Sequence, residues 1–497
     1  MSKLFQQNLN AKIQKSAFDL SHERKLSMKM GKLYPILLQE VVPGDKFNID
    51  TQSMIRFAPL VSPMMHRVNA YIHFFYVPNR ILWDDWEAFI TGTPGKVCPT
   101  TGLTEVEEGS LADHLGVPTG DFTGLQKIET VNNLPFRAYY KIWNDYYRDQ
   151  NQQAEIDINN SVINEEFTQQ PVLSRAWEKD YFTSALPWAQ KGNPVTMSAN
   201  IDYKEAEIRN TNGGAIAPAE GLVTGLEHSS TPDSHLISTT ASYPIATYIE
   251  NIDGVTIDVE ELRRATRLQR WLERNARSGT RYVEHLLSHW GVRSSDARLQ
   301  RAEYIGGGKS PVVISEVLNT TGTDTLPQGN MAGHGINVGR TNQAYKFCEE
   351  HGFIMGIMSV MPEPTYQQGL PKLWQRKLNL DFYYPEFAQL GEQPILSKEL
   401  YLDDVDENNE KTFGYQSRYA EYKYSQSTVH GQFKTTLDFW HMGRKFQVAP
   451  ALNEEFIKCD PTRRVFAVKS DVEQLYVQLY HKITAVRPMP FFNDPKL

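Results

Sequence analysis

Two stretches of the chain place apolar residues with a period of two, as β-strands do. In VNAYIHFFYV, residues 68–77, both sets of alternating positions are largely apolar, which predicts a strand buried between two layers. Residues 475–480 alternate leucine and valine with tyrosine and glutamine, a second clear period of two. Further strands are predicted at 311–318, 353–361, 378–384, 416–424 and 434–440.

Long intervening segments separate most of these predicted strands. Hairpin turns or regularly spaced helices would give shorter and more even spacing, so the pattern disfavours βαβ repeats and favours an antiparallel sandwich with large insertions. One insertion, residues 198–250, lacks periodicity and is rich in Gly, Ser, Thr and Pro, which predicts an exposed surface loop. Residues 1–32 are polar and precede the strands, so we divide the chain into an arm, 1–32, and a body, 33–497.

Two segments have helical character. Residues 137–149 follow Pro135 and cluster aromatic side chains around Ile142 and Trp143. Residues 260–277 end just before Gly279 and carry one apolar stripe. The arginines of this second helix fit either contact with nucleic acid or a salt-bridged face that supports a subunit contact. They are Arg263, Arg264, Arg267, Arg270, Arg274 and Arg277.

Bulk composition indicates a globular protein. The 497 residues are 40% hydrophobic and 22% charged, and this length exceeds one ordinary core, so several domains or one heavily decorated domain are expected. The amino-terminal residues lack the apolar segment of a signal peptide, and the longest apolar run, 352–361, is too short to span a membrane. We therefore predict a soluble protein. The three cysteines are widely spaced, which argues against a disulfide framework or a zinc motif. We predict that they are reduced, buried thiols.

Positive charge is concentrated in the arm, although the whole chain carries a formal charge of −8. Residues 1–32 hold seven basic and two acidic residues, a net charge of 7 − 2 = +5. Such an arm is typical of contact with a polyanion, and a solvated tail without a partner is the alternative. The candidate nucleic-acid-binding residues are Lys3, Lys12, Lys15, Arg24, Lys25, Lys29 and Lys32.

The stretch EYIGGGKSPVVIS, residues 303–315, contains the Gly-Lys-Ser end of a phosphate-binding loop. The first glycine of that motif is replaced by Glu303, and Pro311 leads into a β-branched run instead of a helix. Without a helix N-terminus there is no dipole and no row of free amides for phosphate. We interpret the glycines as a turn that enters a strand.

No other motif supports catalysis or a cofactor. His285 and His289 are spaced i, i+4, but Leu286 stands where the zinc-protease pattern requires glutamate. Residues 402–415 resemble a calcium loop, yet Asn409 replaces the required glycine and Tyr415 the closing glutamate. We therefore predict no enzyme activity, no metal and no cofactor.

Ordered blocks through nearly the whole chain resemble the major capsid proteins of microviruses, the small icosahedral phages with single-stranded DNA, and specifically their gokushovirus-like branch. The blocks include FDLSHERKLSMKMGKLYPILLQEVVPGDKF (18–47), FFYVPNRILWDDWEAFITG (74–92), CEEHGFIMGIMSV (348–360) and DFYYPEFAQLGEQPILSKELY (381–401).

The resemblance implies a mainly β fold: one eight-stranded antiparallel jelly roll of the viral capsid type with long loop and helical insertions. It implies about sixty copies in a T=1 icosahedral shell around circular single-stranded DNA. Expected partners are an internal scaffolding protein, a small basic DNA-binding protein, a minor pilot protein and an unknown host receptor, but no membrane.

The resemblance also places the protein in the virion, after assembly in the host bacterial cytoplasm. Residues 198–250 match the position of a protrusion at the threefold axes of gokushovirus capsids. A jelly-roll host-attachment or carbohydrate-binding module that forms a small oligomer is the alternative function.

Overall fold

The computed structural model describes residues 13–102, 105–122, 130–158, 171–196, 200–210, 227–228, 236–237, 245–256, 259–318, 320, 331–468 and 472–492. For the strands between 200 and 256 it describes the backbone only. No helix in these residues combines the length and apolar character that crossing a bilayer requires.

The strands in the described residues are β1 (Ser16–Asp19), β2 (His22–Met28), β3 (Tyr34–Val41), β4 (Lys46–Phe57), β5 (Val68–Pro78), β6 (Thr100–Gly102), β7 (Glu105–Val106), β8 (Gly120–Asp121), β9 (Thr130–Asn132), β10 (Asn200–Asn210), β11 (Glu227–His228), β12 (Leu236–Ile237), β13 (Ile245–Thr256), β14 (Glu303–Pro311), β15 (Val313–Leu318), β16 (Met331–Arg340), β17 (Ala344–Phe347), β18 (Gly352–Pro362), β19 (Glu392–Leu396), β20 (Thr412–Ser417) and β21 (Leu475–Arg487).

The α-helices in the same residues are α1 (Trp86–Ile90), α2 (Leu111–Leu115), α3 (Leu134–Ile142), α4 (Val259–Ser278), α5 (Tyr282–Trp290), α6 (Asp406–Asn409) and α7 (Glu454–Ile457). A π-helical turn, Trp143–Tyr147, continues α3. Single 3₁₀ turns occupy Asn79–Ile81, Lys372–Gln375, Asn379–Asp381, Pro385–Phe387, Ser397–Glu399, Ala420–Tyr422, Gly431–Lys434 and Asp438–Trp440.

The chain divides into two compact units, Met1–Ala189 with Ala276–Leu497, and Gln190–Asn275. In the smaller unit β10 pairs with β13 and β11 with β12, all antiparallel. Long paired strands therefore lie at both ends of the segment 198–250, for which the sequence predicts an irregular loop. The predicted second helix is confirmed as α4.

Two antiparallel sheets form the larger unit. A seven-stranded sheet has the order β1-β21-β4-β16-β15, with β2 also paired to β21 and β17 to β4, and a four-stranded sheet has the order β14-β5-β18-β3. Along the chain β2, β4, β16 and β21 belong to the larger sheet, whereas β3, β5, β14 and β18 belong to the smaller one. This alternation and pairing are those of a jelly roll, as the resemblance implies.

The two sheets differ in how their faces are covered. All eleven residues of β18 are buried, and so is β5 except for the half-buried His73. Helix α3 and the π-helical turn after it pack in the same hydrophobic core as this small sheet. Tyr139 of α3 donates a hydrogen bond to the carbonyl of Leu33, just before β3 (2.8 Å), and Trp143 of the π-helical turn donates one to the Ser174 carbonyl (3.2 Å). The strand predicted at 68–77 and its two-sided burial are confirmed.

In the larger sheet, β21 alternates buried and exposed residues along its length. The buried set includes Leu475, Leu479 and Ile483, which belong to the same hydrophobic core as Phe47 and Ile55 of β4. One face of this sheet therefore covers the core and the other is open.

The glycine run is not a turn. Gly306, Gly307 and Gly308 lie inside β14, paired with β5. A Cβ atom on Gly307 would lie 2.2 Å from the carbonyl oxygen of Ile72, so a side chain cannot fit between these strands. The glycines permit a close backbone approach, which a short motif does not reveal.

Three predicted strands are wrong. Residues 378–384 and 434–440 form 3₁₀ turns and connecting segments, and of 416–424 only the first two residues belong to a strand. In the first case the Asp381 carboxylate accepts hydrogen bonds from the amides of Lys377 and Leu378, each at 2.8 Å, and closes a turn. Within 416–424, Tyr419 has a left-handed backbone (φ 60°), which ends the extended conformation.

Part of the predicted arm is sheet. Strands β1 and β2 occupy 16–19 and 22–28 and pair along β21. The first twelve residues lie outside the described part of the chain. All three cysteines are free; Cys348 and Cys459 are buried, as predicted, and Cys98 is half-exposed.

Candidate nucleic-acid interface

The open face of the larger sheet is a broad accessible surface built from regular structure. On β21, Tyr476, Gln478, Tyr480 and Lys482 point outward because they alternate with the core-facing residues. Because strands pair in register, outward residues of one strand stand beside outward residues of the next. Tyr476 lies opposite Arg56 of β4, and Tyr480 lies opposite Gln52.

This register extends across four strands. Lys25 of β2 pairs with Gln478, Gln478 with Met54, and Met54 with Val338 of β16. On the same edge of β4 as β16, Tyr345 of β17 stands opposite Asn48. The aromatic residues exposed on this face are Tyr345, Phe347, Tyr476 and Tyr480. The basic ones are Lys25, Lys46, Arg56, Arg340 and Lys482.

Some of these cations are neutralised locally. The Arg340 guanidinium binds the Asp50 carboxylate, with Nε 3.0 Å from both oxygens, and Lys25 pairs with Glu23 at 3.3 Å. Among the described residues, Lys46, Arg56 and Lys482 form no ion pair. Lys482 also interacts electrostatically with Asp19, so Lys46 and Arg56 are the cations that leave a positive charge beside the exposed rings.

Aromatic rings interleaved with unpaired cations are typical of surfaces that bind single-stranded nucleic acid without sequence preference. The rings stack on bases, and the cations contact phosphates and release counterions. Tyr476 and Tyr480 are four residues apart on one strand, about 14 Å at the rise of an extended chain. This spacing allows two bases of one strand to stack separately.

The candidate basic residues of the arm do not lie together. Lys25 is on the open face, and Lys15 is exposed at the start of β1, with Nζ 3.4 Å from the Gly44 carbonyl. Arg24 points the other way: its guanidinium donates to the His114 carbonyl, and burial lowers the pKa of this arginine. Lys29 is exposed and Lys32 is half-buried. Lys3 and Lys12 lie outside the described residues.

A cavity of about 650 Å³ lies beside this edge of the sheet and is lined by Arg24, Lys25 and Lys29. Three acidic residues, Glu108, Asp113 and Glu473, line it as well. Equal numbers of positive and negative groups make it a poor phosphate pocket, so the open sheet face is the stronger candidate.

Two other sequence motifs make identifiable contacts in this fold. Lys309 does not close a phosphate loop: Nζ lies 3.3 Å from a Glu178 carboxylate oxygen and 5.1 Å from the centre of the Tyr71 ring. The rings of His285 and His289 lie side by side on α5 in a tilted arrangement, with their centres 4.3 Å apart. Within the described residues, no group of three or more His, Cys, Asp or Glu is placed to hold a metal ion.

Comparison with known proteins identifies the family. Residues 7–497 match the family model described as capsid protein (F protein). The chain belongs to this family of phage capsid proteins. It is similar to capsid protein VP1 of Bdellovibrio phage phiMH2K, with 36% identity over 97% of this chain and 95% of the relative. It is also similar to the VP1 proteins of Chlamydia phage 1 (32% identity; 100% and 98% coverage) and Spiroplasma virus 4 (30%; 98% and 96%).

As a member of this capsid family, the protein is a structural component of the virion and assembles with copies of itself. The resemblance seen in the sequence is thereby confirmed. The open face is a candidate surface that the sequence analysis does not predict. Its signature was present in the alternation at 475–480, whose outward positions hold tyrosines.

Proposed function

We propose that this capsid protein forms a T=1 icosahedral shell of about sixty copies that encloses circular single-stranded DNA. The observation that carries the proposal is the open face of the larger sheet. The central strands of the small sheet, β5 and β18, are almost entirely buried, whereas the larger sheet offers an accessible face to a ligand. That surface carries the stacking rings and unpaired cations that single-stranded DNA requires.

In this arrangement the open face is directed toward the packaged DNA. The candidate basic residues of the arm add positive charge near the amino terminus of the chain. They are Lys3, Lys12, Lys15, Arg24, Lys25, Lys29 and Lys32. Lys15 and Lys25 are accessible for this role, whereas Arg24 acts mainly by holding β2 to His114.

Assembly requires further proteins. The chain carries a formal charge of −8, so even a full shell cannot neutralise the phosphates of a genome. A small basic DNA-binding protein would supply that charge inside the shell. We further propose an internal scaffolding protein and a minor pilot protein as partners, and assembly in the cytoplasm of the host bacterium.

Residues 198–250 are proposed as a host-facing protrusion, because they interrupt the jelly roll as one long insertion. Deletion of part of 200–250 should spare assembly and impair adsorption to host cells. Normal adsorption by such particles would contradict this role.

Electron microscopy of the purified protein and a nuclease-protection assay test the shell. Spherical particles that protect single-stranded DNA are expected. A persistent monomer or trimer would favour the alternative, a jelly-roll host-attachment or carbohydrate-binding module. We propose no catalytic role. Phosphate release from ATP that Lys309→Ala abolishes would overturn that view.

A further inference from the structure

An unusual concentration of exposed apolar side chains lies in the segment 372–390. The segment contains three successive 3₁₀ turns, Lys372–Gln375, Asn379–Asp381 and Pro385–Phe387, joined by short extended stretches. Its large apolar residues keep from 41% to 71% of their surface exposed: Leu373, Trp374, Leu378, Leu380, Phe382, Tyr383, Tyr384 and Leu390.

The segment is held in place from beneath. Arg376 pairs with Glu421 at 3.0 Å, and both side chains are largely shielded from solvent. The Arg376 guanidinium also lies 4.2 Å from the centre of the Tyr422 ring, and Gln393 donates to the other Glu421 oxygen at 2.6 Å. These contacts fix the backbone that carries the exposed side chains.

The Tyr383 ring extends the same support, packing edge-on against Tyr419 at 4.9 Å. A segment tied by a shielded ion pair and ring contacts loses little conformational entropy when it docks. Preorganisation of this kind strengthens binding.

The exposed apolar area of this segment has the size of a functional surface patch. An aromatic side chain buries on the order of 150–250 Å² when fully covered. Four half-exposed aromatic residues and four leucines therefore offer several hundred Å². The largest apolar patch on a typical monomer is about 300–600 Å² and often functional, and one partner in a stable interface buries about 800 Å².

We propose that residues 372–390 dock on a second copy of this chain. The inference rests on the proposed function, because a shell protein is surrounded by copies of itself and must bury several patches at once. Trp, Tyr and Phe are the residue types enriched at the centres of protein interfaces. Around a threefold or fivefold axis such a segment meets a different surface of its neighbour, so each copy donates the segment once and receives it once. Across a twofold axis the same contact is made reciprocally by the two copies.

The test is a double variant, Leu373→Asp with Leu378→Asp, in the full-length protein. Both side chains are more than 60% exposed, so the protomer should keep its circular dichroism spectrum and melting temperature. We expect particle yield to fall at least tenfold, with the protein recovered as small species. The control is Val97→Asp, at a valine outside the segment that is 78% exposed, which should assemble normally. Wild-type particle yield from the double variant would overturn the proposal.

Hydroxyl-radical labelling of the wild-type protein gives an independent measurement that needs no variant. Trp374 should be oxidised several-fold more slowly in assembled particles than in dissociated subunits, whereas Val97 serves as the exposed reference. Equal labelling of Trp374 in both states would overturn the proposal. If the wild-type protein forms no particles, the proposed shell fails. In that case, sedimentation of the wild-type protein and the double variant tests the segment separately. Loss of the wild-type oligomers in the double variant would support docking through residues 372–390, and oligomers that persist in the variant would overturn the proposal.

Discussion

Tyr476 and Arg56 stand opposite each other on β21 and β4, on the face of the larger sheet that the core does not cover. The tyrosine supplies a ring and the arginine a charge that no described residue neutralises. The pair is the smallest unit of the proposed interface: one base stacks while its phosphate is contacted. Tyr480, four residues along β21, repeats the ring on the same side.

Replacing both tyrosines, Tyr476→Ala with Tyr480→Ala, should weaken binding of a short oligo-dT strand. Each stacked base contributes about 1–3 kcal/mol, so at least a tenfold loss of affinity is expected by fluorescence anisotropy. Tyr424→Ala, at an exposed tyrosine outside the sheet, is the matched control. Equal affinities for the double variant and the control would exclude stacking on this face.

Removal of residues 1–12 deletes Lys3 and Lys12 and leaves β1 and β2 intact. The logarithm of the binding constant for single-stranded DNA falls linearly with the logarithm of the salt concentration, and each phosphate contact contributes about 0.7 to the slope. Loss of two contacts should therefore make the slope shallower by about 1.4. Titrations at several salt concentrations measure it. An unchanged slope, with unchanged nuclease-protected DNA in particles, would remove these two lysines from the interface.

Gly307→Ala should destabilise the protomer by roughly 1–3 kcal/mol or more, because the new methyl group would overlap the Ile72 carbonyl. Gly308→Ala is the control on the next residue, where a Cβ atom would lie 3.4 Å from its nearest neighbour. Urea denaturation of the two variants should separate them clearly. Similar midpoints would show that β14 and β5 can move apart at little cost.

Acid should weaken the fold through His481. Burial lowers the pKa of this residue to about 4, and the nearby His22 adds to the shift. The ring lies 2.8 Å from the Thr51 hydroxyl and 3.0 Å from the Ile36 carbonyl. The unfolded chain, with a histidine pKa of about 6.5, binds the proton first, so stability is full above that pH and declines as the pH falls toward 4.

Between pH 6.5 and 5 this residue should reduce the free energy of unfolding by about 2 kcal/mol. His481→Gln should show a smaller decrease over that interval, measured by urea denaturation at each pH. His334→Gln, at an exposed position of β16, should follow the wild-type curve. Parallel curves for all three proteins would assign the acid sensitivity to other groups.

The sequence predicted those parts of the fold that local periodicity determines. The run at 68–77 and the alternation at 475–480 appear as β5 and β21, because burial of one or both faces of a strand leaves its pattern in the residues themselves. The glycines of β14 could not be understood in this way. Their role depends on Ile72, more than two hundred residues away, and no local pattern reports that contact.

The site was harder to predict than the fold. Net charge directed attention to the arm, but the structure separates Lys25, on the open face, from Arg24, which points toward His114. Adjacent residues of a strand face opposite sides, so a charge count over a segment cannot distinguish them. The tyrosines of β21 were visible as a pattern. That these tyrosines stand beside a basic residue, Arg56 of β4, follows from the pairing of β21 with β4, which the local sequence does not reveal.

Strand β18 buries all eleven of its residues, from Gly352 to Pro362. Almost any replacement there changes a packed volume or introduces an unsolvated polar group, so this strand leaves evolution little freedom. Any peptide inserted for display on this scaffold must therefore avoid β18 and be placed at exposed positions elsewhere in the chain.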